Sequence, residues 1–185
     1  MTPLQMQLFF AVLTVAVGVA TVALIVLRLV ALRSLPALGF LDALAPACVP
    51  LSALIAAVSM AGSLYFSEIA NYLPCTLCWY QRIAMYSLAV ILTIAAVLRD
   101  TAIRRYALPL AGIGIVISSY HYLLERFPQL DTGVCNTTIA CEYVWFEKFG
   151  FVTLPFMALT GFIAIVVLTS VRSPRGAQTI SNTHD

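Results

Sequence analysis

Long stretches almost without charge constrain this chain more than any other feature. Crossing a bilayer takes about 20 mostly apolar residues, and five stretches are of about that length: 6–27, 48–66, 77–98, 106–124 and 149–171. Only 10% of the 185 residues are charged, whereas a soluble domain is about a quarter charged. One water-soluble core of this size cannot bury so much apolar surface, so the surface faces lipid. Each stretch must then be helical, because a helix satisfies its own backbone hydrogen bonds.

The two ends of the chain are expected to differ. The first stretch lacks a basic start and exceeds the apolar length of a signal peptide, which favours a retained helix over a cleaved leader. Residues 34–46 contain two prolines and a glycine and are interpreted as a linker on the inner face. The polar tail over 173–185 is predicted to be disordered.

The arginines predict the orientation, because cytoplasmic loops collect Lys and Arg. If five helices alternate, seven arginines fall on one side: Arg28, Arg33, Arg99, Arg104, Arg105, Arg172 and Arg175. The other side has only Arg126 and Lys148, and Arg82 is embedded. The N-terminus is therefore expected outside and the C-terminus in the cytoplasm.

This topology places four of the five cysteines on the outer face, as two closely spaced pairs: Cys75 with Cys78, and Cys135 with Cys141. In a bacterium that face is oxidising, so thiols there can form and exchange disulfides. A bridge within the second pair would close a small loop and contribute little to folding, which suits exchange chemistry. The alternative is a structural staple for an exposed loop. Asn136-Thr137-Thr138 matches a glycosylation sequon, which a bacterial chain would not normally use.

The third stretch has the features of a redox helix. Pro74 suits a helix start, so Cys75 and Cys78 are expected near a helix N-terminus, where the partial positive charge stabilises thiolate. Arg82 lies seven residues past Cys75, roughly 10 Å deeper. An arginine inside the membrane indicates function by default, although its side chain could instead reach up to the headgroups.

His121 is expected at a similar depth on the fourth helix, because it precedes the helix-ending Pro128 by seven residues. An arginine and a histidine that face each other beneath a dithiol could hydrogen-bond the carbonyl oxygens of a quinone and stabilise its developing negative charge. The alternative is that His121 is an ordinary packing residue.

Four segments resemble the DsbB family of quinone-dependent disulfide oxidoreductases, and most closely its BdbC branch: residues 62–68, Pro74-Cys-Thr-Leu-Cys-Trp-Tyr-Gln-Arg82, Tyr120-His-Tyr122 and residues 149–156. The resemblance implies an all-α membrane protein, a four-helix transmembrane bundle with one extra N-terminal transmembrane helix. The expected division is that helix over 1–33, the linker over 34–46, a DsbB-like core over 47–172 and the tail over 173–185.

The resemblance also implies an activity in the bacterial cytoplasmic membrane. The chain would reoxidise an exported thioredoxin-fold thiol oxidase, DsbA-like or BdbD-like, and pass the electrons to ubiquinone or menaquinone. Membrane lipid is an expected partner, whereas no metal and no nucleic acid is expected to bind. The residues that match the family by position are the quinone-proximal pair Cys75 and Cys78, the quinone-contacting Arg82 and His121, and the partner-facing pair Cys135 and Cys141.

Two other interpretations remain open. Four cysteines could bind zinc tetrahedrally in a membrane module without redox activity. A carrier that passes electrons outward from the cytoplasm would need thiols on the inner side, where Cys48 alone is not a dithiol.

Overall fold

A computed structural model describes residues 2–31, 35–131, 133–135 and 140–171. Several residues named above lie outside the described residues: Arg33, Asn136, Thr137, Thr138, Arg172, Arg175 and the tail over 173–185. Within the described part of the chain, the secondary structure is helical apart from one isolated bridge between Lys148 and Val152.

Five α-helices follow one another in the described residues: α1 Pro3–Ala31, α2 Leu35–Leu64, α3 Thr76–Leu98, α4 Arg104–Arg126 and α5 Leu154–Thr169. In the described ranges, the first four are long and apolar enough to cross a membrane, and α5 is shorter, with 16 residues. The prediction of an all-α, multi-pass membrane protein with an extra N-terminal helix is confirmed.

Helix α2 begins earlier than expected. Residues 35–46, interpreted from the sequence as a linker, form its first turns, and Pro46 and Pro50 lie inside the helix. An interior proline removes a backbone hydrogen bond, but a membrane helix tolerates this because neighbouring helices satisfy the freed groups. A proline-rich segment that would end a helix in water therefore continues one here.

Helix α5 begins later than the apolar pattern indicates. Residues Phe149 and Gly150 have positive φ angles of 56° and 76°, and form a turn that Lys148 and Val152 close with paired backbone hydrogen bonds. Pro155 lies in the first helical turn, where its missing N–H costs nothing.

The core lies between α2, α3, α4 and α5. Leu88 and Leu92 of α3 pack there with Phe162 and Ile165 of α5, all fully buried. Gly114 of α4 makes this possible, because a Cβ at that position would lie 2.4 Å from the Phe162 ring. Helix α1 packs outside this four-helix core, against α2 and α5.

Candidate redox site

The connection from α2 to α3 presents the first cysteine pair. Helix α2 ends in a π-helical turn, Tyr65–Ile69, and the chain reverses through Asn71, whose φ of 57° is one that asparagine tolerates. Cys75 is the N-cap of α3, and its sulfur accepts a hydrogen bond of 3.3 Å from the Cys78 backbone N–H. The expected position at a helix N-terminus is confirmed.

Cys75 and Cys78 are free thiols whose sulfur atoms lie 2.9 Å apart. Cys75 stands one residue before the membrane-spanning part of α3. Hydrogen bonding with Cys78 lowers the pKa of the Cys75 thiol well below its ordinary value, burial opposes the shift, and His121 adds to the lowering. A thiol of low pKa is both available as thiolate and a good leaving group in disulfide exchange.

His121 of α4 is buried beside this pair. Its Nε2 lies 3.7 Å from the Cys75 sulfur and 3.1 Å from the backbone oxygen of Cys141, and its Nδ1 lies 3.0 Å from the amide nitrogen of Gln81. A carbonyl oxygen can only accept, so in the neutral ring Nε2 carries the proton and Nδ1 accepts from Gln81. The imidazole N–H therefore points toward the region between Cys75 and Cys141.

Arg82 turns away from His121, which differs from the arrangement expected from the sequence. Its Nε donates to the Ser63 hydroxyl at 3.0 Å and its Nη2 to the Ser63 carbonyl at 3.1 Å, while the guanidinium lies 5.3 Å from the Trp79 ring centroid. Successive residues on a helix point about 100° apart, so Gln81 faces α4 and Arg82 faces α2. Gln81, which sequence reasoning missed, takes the place beside His121. A buried amide in a membrane helix was the available signal.

The second cysteine pair packs on the first. Cys135 and Cys141 are joined in a disulfide. Cys141 is buried in one cluster with Cys75, Leu77 and Leu124, and Cys78 and Cys135 pack against that cluster. The structure thus brings all four predicted cysteines together at one end of the bundle, and the bridge predicted within the loop is present.

An apolar cavity of about 430 Å³ opens next to Cys78, between α1, α2, α3 and α5. Its size falls in the range of small-molecule sites. The polar side chains that line it include Ser63, Gln81, Arg82 and Tyr86, and Arg82 lies one helical turn from Cys78. Tyr72 and Trp145, stacked 4.7 Å apart, line the same end. His121 is not one of the described residues that line the cavity.

A carboxylate that sequence reasoning did not single out lies one helical turn beyond His121. Glu125 is partly buried and accepts a hydrogen bond of 2.5 Å from the Thr153 hydroxyl. No sequence signal separated this residue from the charged residues around it. It places a proton-binding group on the same face of α4 as the histidine.

The sequence profile described as "Disulfide bond formation protein DsbB" matches residues 45–171. "Disulfide bond formation protein C" of Bacillus subtilis strain 168 is 47% identical over 115 residues, which cover 61% of this chain and 83% of the relative. A "Probable disulfide formation protein" of Oceanobacillus iheyensis is 43% identical over 60% of this chain and 78% of the relative. No solved structure gives a significant match. The chain therefore belongs to the DsbB family, as a multi-pass membrane thiol–disulfide oxidoreductase of disulfide bond formation.

Proposed function

We propose that this chain reoxidises an exported thioredoxin-fold thiol oxidase, of the DsbA or BdbD kind, and passes the electron pair to ubiquinone or menaquinone. One observation carries the proposal. Cys75 packs against the Cys135–Cys141 disulfide, while Cys78 of the same pair lines an apolar cavity that also contains Arg82. A single dithiol thus has one sulfur toward a thiol donor and the other toward a lipid-soluble acceptor.

The proposed orientation has the cysteines on the outer face of the bacterial cytoplasmic membrane. Arg99 ends α3, and Arg104 and Arg105 begin α4, so all three lie at the end of the bundle opposite the Cys75–Cys78 pair. Arg28 is in the last turn of α1 and lies on the same side, since Gln7 near the start of α1 bonds Tyr72 beside the cysteines. This asymmetry supports a cytoplasmic location for the arginine-rich end.

The thiol half of the reaction uses the loop disulfide first. A partner thiolate attacks Cys135, which is more exposed than the buried Cys141, and the second partner thiolate resolves the mixed disulfide. The partner leaves oxidised, and Cys135 and Cys141 become a dithiol. A loop thiolate then attacks an oxidised Cys75–Cys78 pair at Cys75, which frees Cys78 beside the cavity.

The loop disulfide re-forms when the second loop thiolate displaces Cys75. Because the pKa of Cys75 is lowered by Cys78 and His121, Cys75 is a good leaving group in this step. The products are a loop disulfide and a Cys75–Cys78 dithiol. Two electrons and two protons have moved from the partner to the helix pair.

The residues around the cavity fit a quinone. Its wall is apolar enough for a ring and a hydrocarbon chain, and Arg82 has N–H groups beyond the two that bond Ser63. When bound, a quinone accepts two electrons and two protons. Arg82 would hold the acceptor and stabilise negative charge in a site that excludes water. His121 would keep its proton near Cys75 and outside the cavity.

The test mixes the purified protein with a reduced thioredoxin-fold oxidase and follows quinone absorbance. Arg82→Ala should keep thiol exchange with the partner and lose quinone reduction, because the charge beside Cys78 is gone. Arg105→Ala, an exposed arginine at the opposite end, is the matched control and should behave as wild type. Unchanged quinone kinetics in Arg82→Ala would remove this residue from the site.

A zinc-stabilised module is the second candidate, and one observation favours it. The ligand atoms of Cys75, Cys78 and His121 all lie within 4.8 Å of one another. Cys135 and Cys141 are joined in the loop disulfide and so are not available as zinc ligands. Cys75, Cys78 and His121 then offer three of the four ligands that a structural zinc site uses. Stoichiometric zinc in protein purified without chelator, together with no thiol–quinone activity, would support this candidate over the redox function.

A further inference from the structure

We propose that helix α1, which lies outside the matched family region, forms the lipid-side wall of the cavity, and that Leu13 and Val17 on it select the hydrocarbon chain of the acceptor. The inference rests on the proposed function. It assigns a role to a helix that neither the family match nor the thiol chemistry explains.

Four side chains of α1 line the cavity, and they are spaced as one face of a helix: Phe10, Leu13, Thr14 and Val17. The wall opposite comes from α3, with Cys78, Gln81 and Arg82. Helices α2 and α5 supply the sides, and α1 packs across both of them. Removing α1 would therefore leave the α3 wall of the cavity, with Cys78 and Arg82, facing lipid.

Helix α1 is fixed to the core near both of its ends. Near the redox end, the Gln7 amide bonds the Tyr72 hydroxyl at 2.6 Å, and the Phe10 ring fits against Gly62 so closely that a Cβ there would lie 2.7 Å from it. At the far end, Arg28 donates to the Val167 carbonyl at 2.7 Å. The wall is thus held in place by contacts at both ends.

The charged group of the cavity lies on one wall, which orients an elongated ligand. Arg82 is one helical turn from Cys78 on α3, so a polar ring is expected there. Phe10 packs 5.6 Å from the Phe66 ring at this level. Val17 is seven residues further along α1, roughly 10 Å deeper. An apolar chain leaving the ring would therefore run past Leu13 and Val17.

The first measurement is binding of two quinones, one without a side chain and one with an isoprenoid chain. Quenching of intrinsic tryptophan fluorescence reports it, because Trp145 lines the cavity. Val17→Phe should weaken binding of the chain-bearing quinone about tenfold by overpacking the chain path, with little effect on the chainless one. Val19→Phe is the matched control, since Val19 is 65% exposed on the opposite face of α1.

Leu13→Ala tests the same path without a steric clash, so it stays informative if Val17→Phe fails to fold. It should weaken only the chain-bearing quinone, through lost contacts. Oxidation of the reduced partner in a single turnover without quinone should be unchanged in both variants. Equal losses for both quinones, no loss for either, or the same loss in Val19→Phe would overturn the role of α1. If wild-type protein binds neither quinone, the proposed function itself fails.

Discussion

Removing the Cys78 sulfur should raise the pKa of Cys75. Hydrogen bonding with Cys78 is the largest cause of its lowered pKa, ahead of the opposing effect of burial and the contribution of His121. A hydrogen bond to a charged group contributes about 1.5–3 kcal/mol, and one pKa unit corresponds to 1.36 kcal/mol. Cys78→Ala should therefore raise the pKa of Cys75 by about 1 to 2. His121→Ala should raise it less, because its Nε2 is 3.7 Å from the sulfur.

The assay is a pH titration of thiolate absorbance in the ultraviolet. A Cys48→Ala background removes the other free thiol, and a further Cys75→Ser variant supplies the baseline. Because a lowered pKa keeps the thiolate present down to lower pH, the absorbance step should move to higher pH in Cys78→Ala. A step that stays in place, or one that moves further in His121→Ala than in Cys78→Ala, would refute the assignment of Cys78 as the main cause.

Three further outcomes follow from the contacts. Gly114→Ala should destabilise the protein by about 1–3 kcal/mol, seen as a lower Tm in detergent, while Gly112→Ala, where a Cβ meets nothing within 4 Å, should be close to neutral. Gln81→Leu removes the donor to the site histidine and should slow exchange between the cysteine pairs about fivefold in quenched-flow trapping, as loss of about 1 kcal/mol predicts; an unchanged rate would contradict that role. Cys135→Ser should abolish oxidation of the partner yet keep quinone reduction driven by a small dithiol; loss of both activities would contradict the separate roles of the pairs.

The number and order of the helices could be predicted from the sequence because lipid leaves few options for the backbone. The helix ends could not. Residues 35–46 contain the prolines and glycine of a typical loop, yet they are helical, because the environment and not local propensity decides there. Residues 149–153 are mostly apolar, yet they form a turn set by the φ angles of Phe149 and Gly150.

The site was predictable in depth but not in direction. Counting residues placed Arg82 and His121 at one level, since the rise per residue is fixed. Which of two neighbours faces α4 depends on how the helices pack, so Gln81 and not Arg82 meets His121. The contribution of α1 to the cavity depends on contacts between segments far apart in sequence, such as Gln7 with Tyr72, which no local pattern encodes.

The His121 side chain lies between the two cysteine pairs and touches both. Its Nε2 is 3.7 Å from the Cys75 sulfur and 3.1 Å from the Cys141 backbone oxygen. In the proposed exchange, the disulfide of one pair opens and re-forms beside this ring. Any shift of the Cys141 backbone during that step would change the hydrogen bonding of Nε2 and so its contact with Cys75, which makes the ring a direct connection between the pairs.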